Sequence, residues 1–464
     1  MGEPQIVIRN GTAFCREGAQ PADVAVDDGR IVAIGDSLRG QREIDATGCW
    51  VLPGVVDVHT HMALPVRGLR SSDDFLSGSK AAAFGGVTCI VDFSVAEEGA
   101  SLIESIEARR KQADVSVIDY SLHAEVAGMS PRRLHEFAAA CRAGVRSFKF
   151  YTTYSASARM TGDGMLLRCF RRLVELGGRA VVHAENDAII LALTDELLLK
   201  GRTSVIDLPT ARPDVCEAEA VARVCLLAHE VGVELRIVHL TSRKGLEQIV
   251  TARQRAGASG DRPSLWAETC PQYLVLDRTS YERPNGRCFA ATPPLRTAMD
   301  REALWDGIIR GDIDLVATDH CPFTTAEKME NERFVDLPYG LPGVETLLPL
   351  LLEEGVNGGR ISLERLVELL CERPARALGL WPRKGVLAVG ADADVVVVDP
   401  QEKRTIRANG LHMATDFSPY EGREVVGWPR MTVVRGRVVV EEGRFVGQEG
   451  WGEFVPQQPS TVGT

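Results

Sequence analysis

Between residues 55 and 385 one pattern repeats: a short run rich in Val, Ile and Phe, then a longer stretch with apolar residues at helical spacing. The runs read GVVDVHTH, VTCIVDF, VIDYSLHA, SFKFY, AVVHAE, LRIVHL, LWAET and LVATDH, and the stretches between them include SLIESIEARRKQA and EAEAVARVCLLAHEVG. Strands joined by helical crossovers run parallel, and eight such units are the number that closes a (β/α)8 barrel. The competing α/β topology, a doubly wound open sheet, calls for a glycine-rich phosphate turn after an early strand. Neither the G-x-G-x-x-G nor the P-loop spacing occurs. The sequence predicts an α/β chain built on a TIM barrel, with its chemistry at the carboxyl ends of the strands.

At 464 residues the chain is longer than one such core requires, so a second, smaller unit is expected. Residues 1–54 hold short β-rich runs (QIVIRN, ADVAVDDGRIVAIG), and residues 386–450 return to the same character (DADVVVVD, RMTVVRGRVVVEEGRF). A β-sandwich split between the two ends, flanking a barrel over residues 55–385, accounts for both. Residues 451–464 are polar with Gly and Pro and are expected to form a flexible tail, or else an arm onto a neighbouring subunit.

Charge and composition narrow the partners. A formal charge of -11 argues against nucleic acid, because phosphate binding needs a basic surface. No apolar stretch is long enough to span a bilayer. The start, MGEPQIVIRN, lacks the basic and apolar segments of a secretory signal, so a cytoplasmic protein is expected. Eleven cysteines, scattered without close pairing, read as reduced thiols. Small molecules are the expected ligands.

Several runs end on a side chain with metal-binding chemistry: His59 and His61, Lys149, His183, His239 and Asp319. His59-Thr60-His61 alternates along a strand, so both imidazoles face the same side and can chelate one cation. Asp57, on that same face, is expected to orient one of them. His183 and His239 cap the fifth and sixth runs, where neutral imidazoles could serve a second ion. Asp319 can bind weakly and also move protons. Lys149 is the odd member, since an ammonium repels cations. Inward placement would lower its pKa through desolvation and neighbouring positive charge, freeing the amine to add carbon dioxide. The resulting carbamate has two oxygens and one negative charge, enough to bridge two cations. His320 is expected to pack, not to ligate, and His123, His135, His229 and His412 lie outside the pattern.

These residues sit in longer motifs: DVHTHM, DDFLSGSKAAAFGGVT, SFKFYTTY, VVHAEN, IVHLTS, AETCPQYL, TPPLR, TDHCPF and RKGVLAVGADADVVVVDP. In them the chain resembles the hydantoinase and dihydropyrimidinase branch of the amidohydrolase superfamily, over nearly everything up to about residue 450. The resemblance implies a binuclear zinc site, with His59, His61 and Asp319 on one ion, His183 and His239 on the other, and carboxylated Lys149 bridging. Ligand softness favours zinc and permits manganese, iron or cobalt. It further implies that a metal-bridged hydroxide opens a cyclic amide to a carbamoyl acid. Asp319 would carry the proton, and Tyr154 would bind substrate and the developing oxyanion. Thr292 stands where these enzymes often have Ser, and Tyr339 where many have Asn; both are expected at the ring. Met62, Leu64 and Tyr151 are expected to shape the pocket for the ring substituent. A homo-oligomer, tetramer or dimer, is usual among the resembling enzymes. An allantoinase or dihydroorotase is the alternative. Ala63 stands where dihydroorotases place an Arg, which disfavours an anionic ring unless Arg67 or Arg70 substitutes. A non-catalytic scaffold of the same fold is a further alternative, though all six ligand-type residues persist here.

Overall fold

The computed structural model describes residues 3–16, 18–95, 100–128, 133–258 and 265–460. Its centre is one parallel sheet of eight strands in chain order. These are β1 (Val55–Thr60), β2 (Val87–Ser94), β3 (Asp119–Glu125), β4 (Ser147–Tyr151), β5 (Arg179–His183), β6 (Glu234–Ile237), β7 (Leu265–Thr269) and β8 (Leu315–Val316). Helices follow the strands, as the alternating pattern predicts. Helix Leu102–Ala113 shows the local logic: Ser101 and Glu104 cap its first turn reciprocally, and Leu102, Ile106 and Ala113 are buried. Such a cap stabilises a helix by about 1 kcal/mol.

The ring closes outside a regular ladder. Thr60 and His320 form an isolated parallel bridge, and the His61 N–H donates to the His320 carbonyl at 2.8 Å. Asp57 spans the same seam, accepting from the Thr318 N–H at 3.0 Å and from its hydroxyl at 2.5 Å. Asp57 therefore closes the barrel and does not reach an imidazole. Its fully buried carboxyl is pushed up to about 6 by desolvation, against the pull of the Thr318 hydrogen bonds.

The two ends of the chain meet in sheets beside the barrel. Val395–Thr405 pairs antiparallel with Trp50–Pro53 and with Glu424–Val434, so amino- and carboxyl-terminal strands share one seven-stranded sheet. A four-stranded sheet from the first 45 residues packs on it through Ile8, Val24, Val26, Val51, Val395, Val397 and Val433. A buried ion cluster ties this unit to the barrel. The Lys384 amine donates to Asp119 of β3 at 2.5 Å and to Asp394 at 2.7 Å, and lies 3.0 Å from Asp392.

The expected flexible tail does not hold for residues 451–460. The Val455 N–H donates to the Tyr120 carbonyl at 2.7 Å, the Tyr120 N–H donates to the Glu453 carbonyl at 2.9 Å, and the Gln457 amide donates to the Leu122 carbonyl at 2.8 Å. Val455 and Gln457 are buried. The segment is anchored by backbone pairing and by polar side chains such as the Gln457 amide, the Trp451 indole and Arg435, none of which leaves an apolar period in the sequence. Residues 461–464 lie outside the described residues. No helix among the described residues is long and apolar enough to cross a membrane.

Candidate metal centre

The carboxyl ends of the strands open into a cavity of about 470 Å³. His59, His61, Lys149, Tyr154, His183, His239, Thr292, Asp319 and Tyr339 all line it. His59 is the penultimate residue of β1 and His61 lies just past its end, so strand alternation sends both rings the same way. Asp319 and His239 lie just past β8 and β6 with positive φ of 52° and 40°, and Tyr154 just past β4 at 70°. Non-glycine residues held in this region carry strain that the surroundings must overcome, a pattern concentrated at functional sites.

His59 Nε2 lies 3.2 Å and His61 Nε2 3.1 Å from Asp319 Oδ1. The three ligand atoms fall within 4.8 Å of one another. Glu268 of β7 accepts from His59 Nδ1 at 2.7 Å, which leaves Nε2 bearing the lone pair. Burial holds the His59 imidazole well below its usual pKa, more strongly than Asp319 draws it up. Asp319 stays ionised: burial opposes the charge, but His59, His61 and Lys149 outweigh it and hold the carboxyl below its usual range. Lone pairs and a carboxylate converging in a largely buried pocket are the arrangement that a cation satisfies.

A second group adjoins the first. The His183 and His239 rings are 4.5 Å apart, and His239 is 5.6 Å from His59. His183 Nε2 bonds Glu185 at 2.7 Å, which assigns the lone pair to Nδ1. Burial lowers the pKa of both imidazoles, further for His239, where His183 and Lys149 add to the effect. His61 Nδ1 and His239 Nδ1 are buried with no hydrogen-bond partner. Lys149 is 1% exposed, its amine 5.3 Å from the Phe93 ring and 5.4 Å from the Tyr151 ring. Burial lowers its pKa from 10.5 to about 8; Asp319 and Glu268 pull it back up, and Arg236 lowers it. Desolvation therefore dominates, and positive charge is the smaller contribution. The donor set fits divalent metals.

Tyr154 approaches from the loop after β4, its hydroxyl 2.9 Å from Thr292 Oγ1 and its ring 5.1 Å from His183. Burial keeps the phenol protonated by raising its pKa, against the pull of Arg212. Tyr339 offers its ring as wall, because its hydroxyl already donates to the Phe334 carbonyl at 2.6 Å. Leu64 and Tyr151 line the cavity as expected. Met62 does not: it is fully buried, and a Cβ added at Gly78 would lie 2.3 Å from its sulfur. His320 packs in place, its Nε2 3.1 Å from Asp73 and its Nδ1 accepting from the Gly343 N–H at 3.1 Å.

Sequence reasoning missed the carboxylates that orient the imidazoles. Glu268 fills the role expected of Asp57, and Glu185 does the same for His183. Each stands in a motif quoted above, AETCPQYL and VVHAEN, and Glu185 follows His183 by two residues, just past the end of β5. That spacing was the available signal.

A parallel barrel that gathers imidazoles, a carboxylate and a buried lysine at its strand ends defines the class of metal-dependent barrel hydrolases. Residues 50–439 match the model of the amidohydrolase family, and the chain belongs to that family. It is 41% identical over 463 residues to a D-phenylhydantoinase of Escherichia coli O7:K1, covering 98% of each chain. It superimposes on the crystal structure of dihydropyrimidinase from Brevibacillus agri NCHU1002 with a TM-score of 0.94 at 36% identity, covering 98% of both chains. For the L-hydantoinase of Arthrobacter aurescens the TM-score is 0.89 at 32% identity, over 98% of this chain and all (100%) of that one.

Proposed function

We propose that the protein is a binuclear-metal cyclic amidohydrolase that opens a hydantoin or dihydropyrimidine ring to an N-carbamoyl amino acid. The observation that carries this reading is the position of Lys149, a dry amine set among four histidines and Asp319 in a chain similar to a D-phenylhydantoinase from end to end. His59, His61 and Asp319 would hold one ion, His183 and His239 the other. Lys149, once its neutral amine has formed a bond to carbon dioxide and lost a proton, would supply an oxygen to each. Zinc is the expected metal, since imidazole and carboxylate donors suit it. When bound, such ions make a water acidic enough to attack at neutral pH and polarise the amide carbonyl.

The chain's own residues supply the remaining chemistry. Asp319, ionised in the site, accepts the proton of the attacking water and delivers it to the ring nitrogen as the carbon–nitrogen bond breaks. The Tyr154 hydroxyl donates to the oxygen on which negative charge develops; one such donor contributes on the order of 3 kcal/mol. Thr292 sets the direction of that hydroxyl, and Tyr339, Leu64 and Tyr151 exclude water around the ring. Ala63 supplies no cation where dihydroorotases place an Arg, which supports a neutral ring; Arg67, which lines the cavity, is the cation that an anionic ring would use.

Among the described residues the ten cysteines from Cys49 to Cys371 form no disulfide, which supports a reducing, cytoplasmic setting. Helix Asp187–Leu199 carries Leu191 and Leu199 at 44% and 88% exposure, which supports a subunit contact in a dimer or tetramer. The test is a panel of hydantoin, dihydrouracil, allantoin and dihydroorotate with zinc-loaded protein. Ring opening of hydantoin or dihydrouracil is expected. Turnover of allantoin or dihydroorotate alone, or of none, contradicts the reading.

A further inference from the structure

In the cavity wall one cation touches both halves of the site. Arg212 follows the short helix Leu208–Ala211, and its side chain is 8% exposed. Its Nε donates to Glu185 Oε1 at 3.2 Å and its Nη2 donates to Glu185 Oε2. That same Oε2 lies 2.7 Å from His183 Nε2. The guanidinium also lies over the face of Tyr154, its carbon 5.3 Å from the ring centroid. A flat cation on an aromatic face and a two-point grip on a carboxylate are both geometries that lysine cannot copy.

The contacts form a closed circuit. The Tyr154 hydroxyl meets Thr292 at 2.9 Å. Four residues on in the same loop, Arg296 donates to the Arg212 carbonyl and to the Thr241 hydroxyl, the latter at 3.0 Å. From Arg212 the path returns to the Tyr154 ring, with a branch through Glu185 to His183. Tyr154 needs such support, because its backbone sits at a φ of 70°.

We propose that Arg212 is a positioning residue that couples the two halves of the site, fixing the His183 imidazole through Glu185 and the Tyr154 phenol by stacking on its ring. A rigid link of this kind holds the oxyanion donor at a set distance from the histidine cluster. The kinetic arm of this inference rests on the proposed ring opening; its metal-binding arm does not.

Arg212→Lys is the informative variant, since it keeps the charge that compensates Glu185 while losing the fork and the flat face. Zinc chloride titration of stripped protein against a competing chelator should show the affinity of one ion falling about 10- to 100-fold. With zinc saturating, kcat on hydantoin should fall about 10- to 100-fold while KM changes less. In a Tyr154→Phe background the same substitution should lower kcat far less, because the group it positions is gone. Unchanged zinc affinity, an unchanged kcat at saturating zinc, or equal losses in both backgrounds would each overturn the coupling. A lower melting temperature with zinc affinity retained would mark Arg212 as structural. A wild-type protein inactive on every cyclic amide would sink the proposed function, and the zinc titration would still decide the Glu185 arm.

Discussion

Lys149 does not behave as an ordinary lysine. An amine adds carbon dioxide only when neutral, and burial brings its pKa down to about 8 from 10.5. The sign is direct: the neutral fraction grows as pH rises through about 8, over two units below the point for a free lysine. Stripped protein given bicarbonate and zinc should regain activity at a rate that climbs between pH 7 and 9 and then levels, on the order of a single titration near 8. A rate still rising beyond pH 10 would show an amine that the site does not desolvate. Tyr154 gives the complementary test. Tyr154→Phe should cost about 100- to 1,000-fold in kcat with zinc content unchanged, and parallel loss of zinc would make the tyrosine structural. Both residues stand in SFKFYTTY; the sequence named desolvation and neighbouring positive charge for the lysine, and what the letters hid is that desolvation is the larger of the two.

At the scale of elements, the strands were the most readable part, because a strand buried on both faces must be apolar until it reaches the rim. Each apolar run named from the sequence holds a strand of the barrel, though LVATDH forms only the two-residue β8. That strand is short because Thr318 turns its N–H and hydroxyl to Asp57, and Asp319 leaves the extended region to face the histidines. Side-chain seams of this kind carry no periodicity. The same blindness explains why the sequence points to Asp57 as the orienting carboxylate when Glu268, two strands away on β7, has that place. Glu268→Gln should therefore weaken zinc binding about 10- to 100-fold while the fold persists. Unaltered affinity in a chelator competition would remove Glu268 from the site.

Over the whole molecule, the barrel is held by parts remote in sequence. Asp119 of β3 receives Lys384, Arg435 and the Glu453 N–H, so strand, sandwich and final segment share one buried carboxylate. The polar composition of residues 451–464 concealed this, since Gln457 and the backbone of Val455 act by hydrogen bonding. Burying a side chain such as Val455 contributes about 1.5–3 kcal/mol. Deleting residues 451–464 should lower the melting temperature of the metal-free protein by several degrees, and an unchanged transition would show the segment to be dispensable. The account as a whole turns on one adduct. Crystals grown with zinc and bicarbonate should show two anomalous peaks beside Lys149 and density for a carboxylate on its Nζ. A bare amine, or a single peak, would contradict it.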